Sequence, residues 1–479
     1  MKKGISVKHF EKSFCCRLLI PLLLGSCAFD PPDARALQVG MAQVRITPPL
    51  QTPMAGYYHE RGAAGVHDDL YARAIVIEEG GVKVALVSLD LITTRRHHVL
   101  AARQAIEART AIPGSHVMIS ATHAHTGPIL ATMSARRIGQ DGVNSLVDEY
   151  SEALPHWIAE AVVEADRRLA EASVHAGMGT EESLAFNRRF HMTDGSVGWN
   201  PGKLNPKIIK AAGPIDPDVG VVRFQKQGAG VLGVYVNYAV HLDNVGGDFF
   251  SADLPFALSH SLGQVLGEDL ITVYTTGACG DVNHVDVGWG EPQKGHGNAA
   301  RMGVVLAGSV LKTWPELVQV NGPLRVTSEI VELPLAPVEE AEIELARTVV
   351  RDGNDRGRAN FMKLVKAHQV LDVADQQGEP WAVEVQVITL GNGLAWVALP
   401  GEIFVQLGLD LKLDSPFRYT MVAELANGSI GYVPNVRAYP QGNYEVVSAR
   451  CAVGSGEKLV GAAIGMLKRI HSGNRALAK

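Results

Sequence analysis

The chain has 479 residues, of which 46% are hydrophobic and 20% charged, and its formal net charge is −6. That balance describes a soluble globular protein and excludes a disordered one. With 44 basic against 50 acidic residues, and neither a basic block nor aromatic–basic interleaving, it argues against a nucleic-acid partner.

Residues 1–36 read as an export signal, which places the protein in the periplasm or outside the cell. Lys2, Lys3, Lys8, Lys12 and Arg17 form a positive leader, and "LLIPLLLGSCAF" supplies an apolar core. The core is far shorter than the ~20 residues that span a bilayer. Two processing readings compete. "ARA" at 34–36 suits cleavage before Leu37, the preferred reading. "LLGSC" at 23–27 is similar to a lipobox, which would lipidate Cys27 and hold the protein at a membrane surface. Past the signal only Cys279 and Cys451 remain. Two distant cysteines are no disulfide framework, though one bridge between them stays open. No later segment is apolar for 18 residues.

In chain order, β-branched runs predict strands over 82–91 and 116–123, with an amphipathic helix over 98–109 between them. A long helix is expected over 146–172, then strands over 220–225, 231–241 and 270–277, a helix over 299–314, and strands over 394–400 and 419–425. Near-continuous apolar runs suit strands buried on both faces, and strand–helix alternation suits a sheet covered by helices. The expected fold is α/β: a large mixed sheet flanked by helices, one domain over residues 37–479. The Gly- and Pro-rich stretch 196–220 reads as a long loop, a candidate lid. The charged stretch 338–376 reads as a solvated helical insertion or hairpin without a catalytic role.

Polar residues recur where these strands end. "SATHAHTGP" (120–128) carries His123 and His125. If the strand runs through them, their i, i+2 spacing turns both to one face; otherwise they are polar loop residues. His241 ends "VYVNYAVH" and is followed by Asp243, Asp248 and Asp253; a capped core histidine is the plain alternative. Glu402 follows "LAWVALPG", where helix capping also explains a carboxylate. Tyr432 lies in "NGSIGYVPN", where a turn tyrosine ordinarily packs. Two imidazoles and a carboxylate from three strand ends match the donor set of a catalytic zinc. Such an ion acidifies a bound water to a pKa near ~7 and polarises a carbonyl. Spacing alone does not show that residues so far apart converge.

These residues are familiar together. "ISATHAHTGP", "NYAVH", "LPGE" and "GYVPN" stand in the order found in the neutral (non-lysosomal) ceramidases, zinc hydrolases that cleave the amide of ceramide, and the chain resembles that family through most of its length. The resemblance implies zinc ligands at His123, His241, Glu402 and Tyr432, and His125 beside the metal as a proton carrier. "AFNRRF" implies Arg188 in the substrate pocket. It also implies a small-molecule or lipid substrate, and the lipidation alternative at Cys27 would add a peripheral membrane association.

Two departures stand out. In "GDVNHV" (280–285), Asn283 occupies the place of the family's active-site serine, and His284 that of its proline. An amide is no nucleophile, but it can donate to a developing oxyanion, a contribution of about 3–4 kcal/mol in a well-built hole. The chain also stops about where larger ceramidases add a C-terminal β-sandwich, so none is expected. Cys279 reads as buried packing and Asp281 as a brace for its turn. The leading expectation is a zinc-dependent amide hydrolase; the rivals are the same machinery acting on another amide, an ester or a lactone, and a non-catalytic binding protein.

Overall fold

Side-chain alternation along the strands sets the layers. In Gln38–Arg45, Val39 and Met41 face one core while Ala42 and Val44 face another. Tyr71–Glu79 repeats the division, with Ile75 and Ile77 on one side and Ala72, Ala74 and Val76 on the other. A strand with apolar residues on both faces must be covered twice. A computed structural model, which describes residues 36–59, 61–131, 145–228, 230–353 and 357–477, shows how.

Nine strands form one mixed sheet. Its order is Ile271–Thr276, Val231–Tyr238, Asp218–Lys226, Ala170–Thr180, Gln38–Arg45, Tyr71–Glu79, Val82–Leu89 and Val117–Ala121, with Val318–Val320 added beside Ala170–Thr180. A second sheet of four strands runs Leu324–Leu333, Trp381–Leu390, Leu394–Ala398, Tyr419–Ala423. The sheets pack on each other, Ile75, Leu86, Val222 and Tyr235 of the first meeting Ile388, Trp396 and Met421 of the second. Helices Arg96–Glu107 and Ser145–Arg167 cover the outer face of the larger sheet at one end, and Leu254–Leu266 and His296–Thr313 at the other. Val405–Asp414 and Ser455–Leu477 cover the smaller sheet. Each fully buried aliphatic side chain contributes roughly 1.5–3 kcal/mol.

The α/β class with a large helix-flanked sheet is as expected, and the differences have physical reasons. The strands expected over 394–400 and 419–425 belong to the second sheet, which local periodicity cannot distinguish from the first. Ala170–Thr180 is a strand where the long helix was expected to finish, the helix ending at Arg167. Its signal is weak because small residues replace bulky ones: a Cβ on Gly179 would lie 2.1 Å from Thr313 Oγ1 of the covering helix. The stretch 196–220 is not a structureless loop. Val197–Trp199 and Ile208–Ala211 flank Arg189–Met192 in a three-stranded sheet. The insertion is a helical hairpin, Glu340–Asp352 and Arg358–Ala374. Its second helix is not simply solvated: Leu364, Val365, Val370 and Leu371 are buried. The expected export signal, but for its last residue, and its lipidation alternative at Cys27 lie outside the described residues. Among the described residues no helix is long and apolar enough to cross a membrane.

Three parallel pairs orient the functional segments: Val82–Leu89 with Val117–Ala121, Val231–Tyr238 with Ile271–Thr276, and Leu394–Ala398 with Tyr419–Ala423. The polar motifs follow the carboxyl ends of these strands, where open α/β sheets place their ligand crevices.

Candidate active site

The strand before the first motif ends at Ala121, so His123 and His125 are not aligned by strand alternation. His123 instead adopts φ = 72°, a left-handed conformation that costs energy in a non-glycine residue and is held only by its surroundings. Its amide donates to Leu91 O at 2.9 Å, and its Nδ1 donates to Ile92 O at the same distance. That bond commits Nε2 to present a lone pair. His241 Nε2 lies 2.9 Å from it, His125 Nε2 3.2 Å and Glu402 Oε2 3.5 Å.

Three buried imidazoles meeting through their Nε2 atoms would repel one another unless a proton or cation lay among them. Burial pushes the His125 imidazole down to about 3, and burial with the neighbouring His123 lowers His241 strongly as well. Both are therefore neutral at ordinary pH, each with a lone pair free to meet a cation or a proton. Glu402 Oε2 is buried with no hydrogen-bond partner. Zinc–nitrogen bonds of 2.0–2.1 Å in a tetrahedron put ligand nitrogens about 3.3 Å apart. The observed spacings and the orphaned carboxylate oxygen fit a zinc ion, and His123, His125 and His241 are grouped tightly enough to hold a metal.

The remaining expected residues surround this centre. Tyr432 pairs in register with Glu402 in a short parallel bridge, and Glu402 N donates to Gly431 O at 2.9 Å. Burial raises the Tyr432 hydroxyl well above its usual range, with Arg188 acting in the opposite sense. Arg188 is not free to meet an anion. Its Nη2 donates to the Tyr432 hydroxyl at 3.1 Å and to Gly280 O at 2.6 Å, and its Nε to Glu445 at 2.8 Å. Glu445 is wholly buried and also takes Arg189 Nη1 at 2.9 Å. Asn283 is buried; its Nδ2 donates to Asn200 Oδ1 at 3.1 Å while its Oδ1 accepts from Val285 N at 3.0 Å.

The turn 277–281 forms the wall under Glu402. Gly280 N donates to Ile403 O at 2.7 Å, and a Cβ on Gly280 would lie 2.5 Å from Glu402 O, so only glycine lets the two backbones meet. Cys279 donates its Sγ to buried Glu424 at 3.1 Å, and burial drives the thiol well up, the opposite of a nucleophile's environment. Cys279 and Cys451 are unpaired. Asp281 braces the turn, accepting from Val405 N at 2.8 Å and Asn187 Nδ2 at 2.9 Å.

Several contributors escaped the sequence reading. Asp243, noticed only as one of three acids after His241, has Oδ1 3.7 Å from His125 Nδ1 and accepts from the Tyr57 hydroxyl at 2.7 Å. Burial opposes its ionisation, but His125, Lys294 and Tyr57 outweigh that and hold the carboxyl at about 2. Asp253 accepts from Asn244 N, Val245 N and Leu254 N, shaping the segment after His241, whereas Asp248 is exposed. Arg61 donates to His125 O at 2.6 Å. His284 is buried beside the backbone of His241 and Gln293, and burial lowers its pKa to about 4. Tyr444 stands edge-on to Tyr432 at 5.4 Å and stacks on Trp199 at 4.4 Å, and Phe361 from the helical hairpin extends that wall. An i, i+2 acid after His241 was the one readable signal; the rest come from segments with no spacing relation to the motifs.

Residues 37–248 match the family described as "Neutral/alkaline non-lysosomal ceramidase, N-terminal". A neutral ceramidase from Pseudomonas aeruginosa is 26% identical over 245 residues, 48% of this chain and 34% of that protein, so the aligned stretch spans about a third of the relative. The crystal structure of the Pseudomonas aeruginosa neutral ceramidase superimposes with a TM-score of 0.71 at 18% identity, covering 91% of this chain and 75% of that one. A solved ceramidase complexed with C2 gives the same score and identity, over 91% and 76%. The solved structures bear on the fold, and the motif order, the strand-end placement and the match over residues 37–248 agree: the chain resembles the neutral/alkaline non-lysosomal ceramidases over that segment and shares their fold.

Proposed function

We propose that residues 37–479 act as one catalytic domain, a zinc-dependent hydrolase that splits the amide of an N-acylsphingosine into sphingosine and a fatty acid. The observation that carries this reading is the convergence of three imidazole Nε2 atoms and an orphaned carboxylate oxygen at the carboxyl ends of the strands. His123, His241, Glu402 and Tyr432 would hold the ion. When bound, zinc supplies Lewis acidity that polarises a substrate carbonyl and acidifies a water. His125 takes up and returns the proton, with the Asp243 carboxylate facing its Nδ1 to favour the imidazolium formed on the way. Arg188, charge-balanced by Glu445, fixes the Tyr432 hydroxyl rather than binding substrate directly. Asn283 has one amide hydrogen not given to Asn200, which serves as an oxyanion donor. Residues 1–36 act as an export signal, supported by their charged leader and short apolar core.

A second reading, the same machinery on a smaller amide, an ester or a lactone, is favoured by Asn283 standing where the family has serine. A panel of N-acylsphingosines, simple N-acyl amines and esters decides between them. Release of fatty acid and sphingosine, abolished by a chelator, restored by zinc and lost in His123→Ala, is expected. Turnover only of non-lipid substrates moves the assignment to the second reading; full activity in metal-free protein or in His123→Ala overturns both.

A further inference from the structure

Outside the catalytic cluster, His67, Asp68 and His296 bring three metal-binding atoms within 4.8 Å of one another. Asp68 is buried and fully engaged: its Oδ2 accepts from Ser251 Oγ at 2.6 Å and from His67 Nδ1 at 2.8 Å, and its Oδ1 from Ala252 N at 2.7 Å. Nδ1 of His67 is thus spoken for, which leaves Nε2 as its donor atom on a side chain 42% exposed. A carboxylate that orients a histidine in this way is the usual support of a metal ligand.

His296 opens the helix His296–Thr313, and its ring stacks on His67 with centroids 3.6 Å apart and planes 10° from parallel. Burial and the neighbouring His67 lower its pKa, against a smaller opposing pull from Asp68, which favours the neutral, ligating form. The ring contact and the spacing of the ligand atoms, all within 4.8 Å, keep both imidazoles within reach of one ion, with His67 supported by Asp68.

We propose that His67 and His296, with Asp68 behind His67, form a second metal site for a borderline divalent ion such as zinc. Imidazole donors with no free carboxylate oxygen select zinc, copper or nickel over calcium or magnesium. The exposed His67 ring and the positive end of the helix make it the weaker of the two sites. An ion here ties together segments that flank the loop after His241: His67 N donates to Phe250 O at 2.9 Å, and Gly295 N to Asn244 O at 2.6 Å.

Titration of the metal-free full chain with Zn²⁺ against a chromophoric chelator tests this. Two equivalents are expected, one tight and one weaker. The weaker is lost in both His67→Gln and His296→Gln with the tight one kept, and excess Ca²⁺ does not displace it. A wild type that stops at one equivalent, or a second equivalent that survives both substitutions, overturns the proposal. Because the readout is stoichiometry and His123→Ala removes only the tight equivalent, failure here leaves the catalytic reading untouched.

Discussion

Gly280 and Glu445 show how single residues build the wall of the site without touching substrate. In Gly280→Ala the new Cβ meets Glu402 O at 2.5 Å, so the turn must retreat from the carboxylate it supports. We expect a loss of about 1–3 kcal/mol in denaturant unfolding, with a fall in kcat, because Glu402 shifts with its backbone; unchanged unfolding and turnover would refute the tight approach. Glu445 neutralises Arg188 and Arg189, all three side chains being buried. Glu445→Gln leaves two buried cations short of a counter-charge, a loss on the order of 3–5 kcal/mol, measurable by the same unfolding titration. Both residues were unreadable as site components in advance. Glycine and a lone glutamate carry meaning here only through what lies opposite them.

The helix Arg96–Glu107 and the helical hairpin illustrate how elements take on roles beyond their own pattern. His98 is buried against the larger sheet with Nδ1 lacking a partner, and burial, with His97 and Arg95 nearby, lowers its pKa to about 4. In the unfolded chain it titrates near 6.5, so the fold binds fewer protons between those values and loses stability as pH falls through that window. His98→Leu removes that term: the stability lost between pH 7 and pH 4 should shrink by up to about 2 kcal/mol, as read from thermal unfolding at the two pH values. An undiminished loss would mean His98 does not carry it. The hairpin was legible as two charged helices, and its first helix is indeed mostly exposed. Phe361 on the second helix reaches Tyr444 beside Tyr432, a contact that charge patterning cannot announce because it depends on where the insertion folds back. The same holds for 196–220, whose Gly and Pro content reads as loop although Trp199 and Asn200 come to flank the site.

At the scale of the molecule, the site is a seam among segments from both sheets, so metal binding should stabilise the whole fold. Zinc at about 100 times its Kd should add roughly 2.7 kcal/mol, raising the melting temperature of metal-free protein. His241→Ala should abolish most of that gain; an equal shift in the variant would place the ion elsewhere. By itself the sequence determined the α/β class, because strand alternation and helical periodicity are local, and it drew attention to His123, His125, His241, Glu402 and Tyr432 at strand ends, where capping and packing explain each residue singly and only the family resemblance suggests a shared metal site. Only the tertiary structure decided that His125, His241 and Glu402 each come within 3.5 Å of His123 Nε2, that Asp243 faces His125, that Arg188 serves Tyr432, and that four strands form a second sheet apart from the main one. Those outcomes depend on which strands pair across more than a hundred residues, and pairing is selected by the packing of whole faces rather than by any short stretch of chain.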